Sequence, residues 1–375
     1  MSIRKIRLSG FSLVELLIAM ALGLILVTGM IAVFSGNKRT SELTSEMANM
    51  QESARFVLET ISNDIRSAGF QGCLGLDHGS MDDLTNEQVI GNRGMYLTAA
   101  TGSIIMGPGN WQPQPVGGFV LPGSIVAVTG THTISLQGGT ENRVDLEEPM
   151  HDGTRPNPAI PLVLEKLAPF SANVGSPVII ADCENSNLFT ITDMQLVNDS
   201  WVISHEASEN TTGAFTQPFG NNNKLRQVSV TPYFNHIYFI GDAGVLTEKG
   251  DRITSLYQQS YPFDPVVNPP TELIQGIENM RVSFGIQDRN GQVQYVQANE
   301  PAYDPSAVVS VQIGLLMSSW DQIASVDDEN TYVLAGQQIP ASALSVDGNT
   351  HPLDARFRLA FNTTVKVRNR RVQKQ

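Results

Sequence analysis

Between Phe11 and Phe34 the chain is almost wholly apolar and carries one ionisable side chain, Glu15. As an α-helix this run would reach about 36 Å, enough to cross a hydrocarbon core about 30 Å thick. A short basic segment with Arg4, Lys5 and Arg7 precedes it and ends at Ser9-Gly10. A secretory signal has the same charge pattern, but its apolar region is shorter, about 7–15 residues. A plain membrane anchor fits the length and keeps the positive residues inside. It does not account for Glu15, because a carboxylate near the start of a span is costly and normally has a partner or a role.

Past Phe34 the sequence turns polar over SGNKRTSE, which reads as a hinge. Glycines 23, 29 and 36 lower helix propensity locally. Then Leu43, Met47, Met50, Ala54, Val57, Ile61, Ile65 and Ala68 recur at spacings of four and three, one face of an amphipathic helix. Glu46, Asn49, Gln51, Glu52, Arg55, Glu59 and Asn63 fall opposite. Gly69 marks the stop. One helix from Phe11 to about Arg66 would be about 84 Å long. The stripe spans fewer than about four heptads, which favours packing within the chain over a coiled-coil dimer.

From Asp77 to about Gly123 the chain is loop-rich, with four prolines in GPGNWQPQPVGGFVLPG. Strand signals follow. SIVAVTG and HTISLQ flank a Thr129-Gly130-Thr131 turn, and HIYFIGDAGVLTEKG reads as two strands joined through Gly241-Asp242-Ala243-Gly244. Val282, Phe284 and Ile286 alternate ahead of an Asn290-Gly291 hairpin turn. Val309, Val311, Ile313, Leu315 and Met317 share a face. FRLAFNTTVKV alternates Phe357, Leu359, Phe361, Val365 and Val367 against Arg358, Asn362, Thr364 and Lys366, a half-buried strand. Such strands need a cover, and the amphipathic half of the first helix is available. The fold class is α+β: a long N-terminal α-helix packed on an antiparallel β-sheet head.

The 375 residues allow one large or two ordinary domains. A formal net charge of −13 excludes nucleic-acid binding through a general electrostatic field. No Gly-x-Ser-x-Gly elbow, phosphate loop or His-Glu-x-x-His helix is present, so no enzyme is expected. Histidines 78, 132, 151, 205, 236 and 351 stand singly and read as surface or satisfied side chains. Asp327-Asp328-Glu329, and Asp288 with Asn290, lack EF-hand spacing and read as solvated turns. No cofactor or metal is expected. The tail KVRNRRVQKQ is basic on an acidic body and reads as a solvated end.

GFSLVELLIAMALG, with glycine, phenylalanine and a glutamate four residues on, resembles the type IV pilin processing motif. Ala32 stands in a region where many major pilins have a kink-forming proline, which implies a straighter first helix. SNDIRSAGFQGC, ADCENSNLFTIT, ELIQGIENMRVSFGI, SVQIGLLMSS and FRLAFNTTVKVRNR are similar to the PilW-like minor pilins, and together they cover most of the chain.

The resemblance implies a leader over 1–10, cut between Gly10 and Phe11, and N-methylation of Phe11. It implies a transmembrane or filament-core helix over 11–34, an amphipathic continuation over 35–68 and a β-rich head over 69–375. Glu15 would face the Phe11 amine of a neighbouring subunit, the positive charge an intramembrane carboxylate needs. Removing the leader would take Arg4, Lys5 and Arg7 away and change −13 to −16. The head would occupy the periplasm and later the pilus or cell surface. There Cys73 and Cys183 can be oxidised to a disulfide, the other reading being two separate buried thiols. Such a bridge closes about 110 residues, worth on the order of 4–5 kcal/mol in the chain-entropy model.

The implied partners are prepilin peptidase, other minor pilins, the major pilin and the inner-membrane assembly platform. The implied role is pilus assembly and priming, with twitching motility downstream. The alternatives are a J-type minor pseudopilin of type II secretion, and a membrane-tethered adhesion or ligand-binding protein.

Overall fold

The computed structural model describes residues 12–70, 72, 82–84, 97–101, 125–128, 130–140, 142–153, 155–165, 170–221, 225–247, 250–260, 269–288, 290–298, 300–303, 307–343 and 348–367. The chain divides into two units, Met1–Gln51 and Glu52–Gln375. One helix, α1 (Leu13–Ser67), begins in the first and ends in the second.

Within the first unit, the side chains from Leu13 to Phe34 are exposed around the helix, with Gly23 half-buried. The polar stretch after Phe34 is not a hinge. The helix continues through Ser35 and Gly36, and Thr40 and Thr44 donate their hydroxyls to the carbonyls of Gly36 and Thr40, at 3.0 and 2.8 Å. One glycine costs about 1 kcal/mol against alanine. The helix formed on both sides carries the backbone through, since each residue added to an existing helix gains a bond, and the Thr40 and Thr44 hydroxyls bond inside it.

The second unit is dominated by strands. Those of three or more residues are β1 (Leu97–Thr101), β2 (His132–Gly139), β3 (Leu162–Leu164), β4 (Pro177–Ala181), β5 (Ser186–Thr190) and β6 (Asp193–Val197). The chain continues through β7 (Ser200–Ser204), β8 (Ser229–Leu246), β9 (Arg252–Ser260), β10 (Thr271–Gln275), β11 (Ile277–Gln287) and β12 (Val293–Val296). It closes with β13 (Val308–Ser318), β14 (Tyr332–Leu334), β15 (Gln337–Ile339) and β16 (Arg358–Lys366).

Strand β8 organises the larger sheet. Its first residues pair with β4, its middle with β2, and its other edge with β9. The sheet therefore reads β5-β4-β8 at one end and β1-β2-β8-β9-β10 at the other. The predicted two strands with a turn at Gly241–Gly244 are in fact one 18-residue strand. Its register shifts between Asp242 and Val245, and Gly244 has φ 75°. The glycine pair thus makes a β-bulge, the other use a sheet has for such residues. The reversal comes later, where Thr247 N–H bonds the Asp251 carbonyl at 2.9 Å.

The second sheet has order β12-β11-β13-β16, antiparallel throughout. Gln287 and Val293 close the predicted Asn290-Gly291 hairpin, with the Asp288 carboxylate accepting the N–H groups of Asn290 and Gln292. Val282, Phe284, Val311, Ile313 and Leu315 alternate onto one face and are fully buried. Each contributes about 1.5–3 kcal/mol of transfer free energy. The β14–β15 hairpin covers the opposite face, where Leu316, Leu334 and Ile339 cluster. A third core gathers β3, β4, β5 and β7 around Phe189, Phe215 and Phe219. Among the described residues this is one long helix followed by an antiparallel-sheet-rich region, an α+β fold consistent with a pilin.

A candidate assembly helix and its seat on the sheet

The apolar character of α1 changes along its length. Up to Phe34 it is apolar on all sides and exposed, and it is the one described helix long and apolar enough to cross a membrane. Glu15 lies exposed in its first turn. A carboxylate there also favours the helix start, where the backbone dipole is positive.

Within the second unit α1 becomes one-sided. Ala54, Val57, Ile61, Ile65 and Ala68 are buried, while Glu52, Arg55, Glu59 and Asn63 are exposed, as the periodicity requires. The upper part of the predicted stripe is not buried in the same way: Leu43 is half-buried and Met47 exposed, and full burial starts at Met50. Spacing shows which side of a helix is apolar, but not how far its cover extends.

Three contacts seat the helix end. Asp64 lies across from β8, where its Oδ2 accepts His236 Nδ1–H at 2.7 Å and the Tyr238 hydroxyl at 2.5 Å. Gln258 of β9 donates to the same hydroxyl at 2.8 Å. Burial, then the Asp64 charge, raise the Tyr238 pKa, so the phenol stays a donor. Second, the helix stops at Gly69, with φ 73°, whose N–H bonds the Gln137 carbonyl at 2.9 Å. Third, the last turn backs onto Gly138. A Cβ there would stand 2.6 Å from the Ser67 carbonyl oxygen, so only glycine admits this approach.

Of the predicted site residues, Gly10, Phe11 and Cys73 lie outside the described residues. Cys183 sits in the reversal between β4 and β5, where the Asp182 carboxylate accepts the N–H groups of Glu184 and Asn185 at 2.8 and 2.7 Å. The chain just before Cys73 reaches the same place: a Cβ on Gly72 would lie 2.6 Å from that of Ala181.

Several polar residues depart from their sequence reading. Asp328 and Arg358 are not solvated. The Arg358 side chain is 0% exposed and forks onto Glu278 at 2.8 and 3.1 Å. It also reaches Asp354 at 2.8 Å and Asp328 at 3.4 Å. Arg356 lies alongside, 3.5 Å from Glu278 and donating to the Arg252 carbonyl at 3.1 Å. Burial alone would lower the Arg358 pKa, but the Glu278 and Asp354 carboxylates raise it overall. Burial raises the Asp328 pKa, and the bonds from Asn330 and Tyr332 more than reverse that. Histidines 132, 205 and 351, by contrast, keep to their reading as satisfied side chains: they are buried and each has a hydrogen-bond partner. His205 stacks on Phe215 with ring centroids 4.1 Å apart and bonds the Ile160 carbonyl at 2.9 Å. The network joins residues distant in sequence, and the one local signal was two arginines clustered at Arg356 and Arg358 beside acidic Asp354. Among the described residues no group of three or more His, Cys, Asp or Glu side chains is arranged to hold a metal.

Two family models match the chain. Residues 7–31 match the prokaryotic N-terminal methylation motif, and residues 237–369 match type IV pilus-assembly protein W. No curated protein and no solved structure matches. The second region runs from mid-β8 to just past β16 and holds the whole second sheet and the Arg358 network. The first holds Glu15 and most of the exposed apolar helix. With one signature at each end, the chain is similar to the PilW-like type IV pilins over these two stretches.

Proposed function

We propose that the chain is a minor pilin that acts in the assembly and priming of a type IV pilus as a structural, non-enzymatic subunit. The observation that carries the reading is α1 itself: one uninterrupted helix, exposed and apolar in its first half and seated on a sheet at its end. In this reading the leader is cut between Gly10 and Phe11, Phe11 is methylated, and the apolar half holds the subunit in the inner membrane. The head stands in the periplasm and later on the pilus. Glu15 pairs with the Phe11 amine of a neighbour, since a carboxylate in hydrocarbon calls for an opposite charge. Other minor pilins, the major pilin and the assembly platform are the partners.

A Cys73–Cys183 disulfide belongs to the same reading. Gly72 against Ala181 brings the two cysteine segments together, and no described cysteine is a free thiol. The bridge would tie the helix exit to the edge of β4.

The decisive experiment measures surface pili and leader processing in cells carrying Glu15→Ala or lacking prepilin peptidase. The uncut chain should accumulate without the peptidase, and Glu15→Ala should be cut normally yet reduce pilus number. Normal processing without the peptidase would remove the cleavage assignment. Loss of enzyme export with pili intact would move the subunit to a secretion pseudopilus.

A further inference from the structure

Strand β12 lays one aromatic ring across the outer face of the second sheet. Tyr295 pairs with Gly285 of β11, and Gly285 with Ser310 of β13. Cross-strand partners share a face of the sheet. A Cβ on Gly285 would meet Tyr295 Cε1 at 3.1 Å and Val293 Cγ1 at 2.9 Å, so these two side chains lie over the space the glycine leaves. The Tyr295 hydroxyl stands 3.3 Å from that of Ser310. Neighbouring strands are about 4.8 Å apart, so a ring that starts on β12 and ends at β13 lies close to parallel with the sheet. Its lower face rests on Gly285 and its upper face meets solvent, the residue being 42% exposed.

The row continues to Lys366 of β16, and the next row sets Gln312 beside Thr364. Lys366 and Thr364 are exposed and Gln312 is half-buried. None of these side chains is acidic, on a chain with 37 Asp and Glu residues. The turn of the β14–β15 hairpin bounds the face beyond them, where the Ala335 carbonyl accepts the Ser283 hydroxyl and the Ala335 N–H bonds Asn362, each at 2.7 Å. A flat aromatic surface and a seated hairpin thus flank a strip of amide and hydroxyl groups.

The chemistry of that strip selects its occupant. A stable protein partner covers about 800 Å² on each side, and Val293 and Tyr295 are too few to supply the apolar centre. A nucleic acid needs several cations for its phosphates, and these rows hold Lys366 alone. A pyranose ring asks for what is present. Its C–H face stacks on the electron-rich face of an aromatic ring. Its hydroxyls donate and accept, as the Gln312 amide and the Thr364 hydroxyl do. We propose that Tyr295 is the platform of a saccharide site that takes a neutral pyranose unit of a glycan chain, with Gln312, Thr364 and Lys366 bonding its hydroxyls. Cell-wall and surface glycans share that unit. The inference goes beyond the assembly role and holds equally in a pseudopilus.

The test is calorimetric titration of the full chain, in micelles of a detergent without a sugar headgroup, with cellotetraose and with chitotetraose. The wild type should bind at least one of them with a Kd of about 1 mM or tighter. Equal binding would place recognition in the shared ring, and a preference for chitotetraose would point to an acetamido glycan. Tyr295→Leu keeps an apolar cover on Gly285 and removes the ring. It should weaken binding about tenfold or more with an unchanged melting temperature, and Tyr295→Trp should restore it. Should Tyr295→Leu fail to fold, Thr364→Val carries the test, and it should weaken binding about fivefold. No heat from either sugar at about 10 mM would overturn the proposal. So would binding that survives both Tyr295→Leu and Thr364→Val unchanged, because the ring would then serve only to cover Gly285.

Discussion

His132 should make the head acid-labile through a single imidazole. It is 3% exposed, and its Nδ1 accepts the Val282 N–H at 3.0 Å, joining β2 to β11 across the two sheets. Burial, reinforced by the Arg281 charge, lowers its pKa from 6.5 to about 4, against a raising contribution from the Val282 backbone. The folded state therefore keeps this ring neutral, while the unfolded chain protonates it below 6.5. Between the two values the unfolded state binds more protons, so stability is fully present above pH 6.5 and falls as pH drops toward 4. At about 1.4 kcal/mol per pH unit the loss is about 3 kcal/mol. His205, also lowered by burial, acts in the same direction, so removing His132 should flatten the profile without abolishing its slope. Asp328 has a lowered pKa, and its contribution is lost only in more acid solution, below its ordinary value of 3.8. The assay is urea unfolding of the full chain in detergent at several pH values from 7 to 4, wild type against His132→Gln. The variant should begin less stable and lose about 3 kcal/mol less over that range. Parallel profiles would refute the assignment, because a merely structural role for the ring lowers both ends equally.

Three other substitutions probe the seat of the helix and the buried ions. Asp64→Ala leaves the Tyr238 hydroxyl without its acceptor and His236 with only partial solvent; chemical unfolding should show a loss of about 2–4 kcal/mol. Gly138→Ala sets a methyl against the Ser67 carbonyl, and hydrogen exchange should rise in the last turn of α1 while the second sheet stays protected. Arg358→Met leaves Glu278 and Asp354 with Arg356 alone and takes the arginine away from Asp328, and should cost about 3–5 kcal/mol near neutral pH. That deficit should shrink in acid as the carboxylates protonate, and one unchanged by pH would argue against charge burial as its cause.

What could be read in the sequence follows from the range of the interactions. Buried Ala54, Val57, Ile61 and Ile65 obey a spacing set by the helix itself, and Val282, Phe284, Val311 and Ile313 obey the two-residue period of a strand. Neither pattern needs knowledge of the partner. Arg358 differs because its environment is made by Glu278 and Asp328, which are 80 and 30 positions away. In an alternating strand its place is the one where solvent is expected. The bulge at Gly241–Gly244 was missed for a related reason: turn and bulge draw on the same residues, and only the pairing of β9 and of Val126–Ala127 on either side of β8 decides between them. Asp64 gave no signal, as a lone acid on the stripe's flank looks like any solvated helix residue.

The same contrast explains how one helix serves two environments. Its first half has no polar side from Leu13 to Phe34 apart from Glu15, so it is matched to a surrounding that is apolar in every direction. Its last four turns are matched to a sheet on one side and water on the other. A chain could join such halves through a flexible link, and the Ser35–Glu42 composition would have allowed one. Instead the backbone bonds continue across Gly36, and the helix ends on Gly138 with Asp64 fixed to β8. An axial pull on the apolar half would then pass along a continuous backbone and be resisted at Asp64, Gly69 and Gly138. A hinge would dissipate the same pull by straightening. In the proposed function, a pull on the helix would be resisted within the head at these three positions.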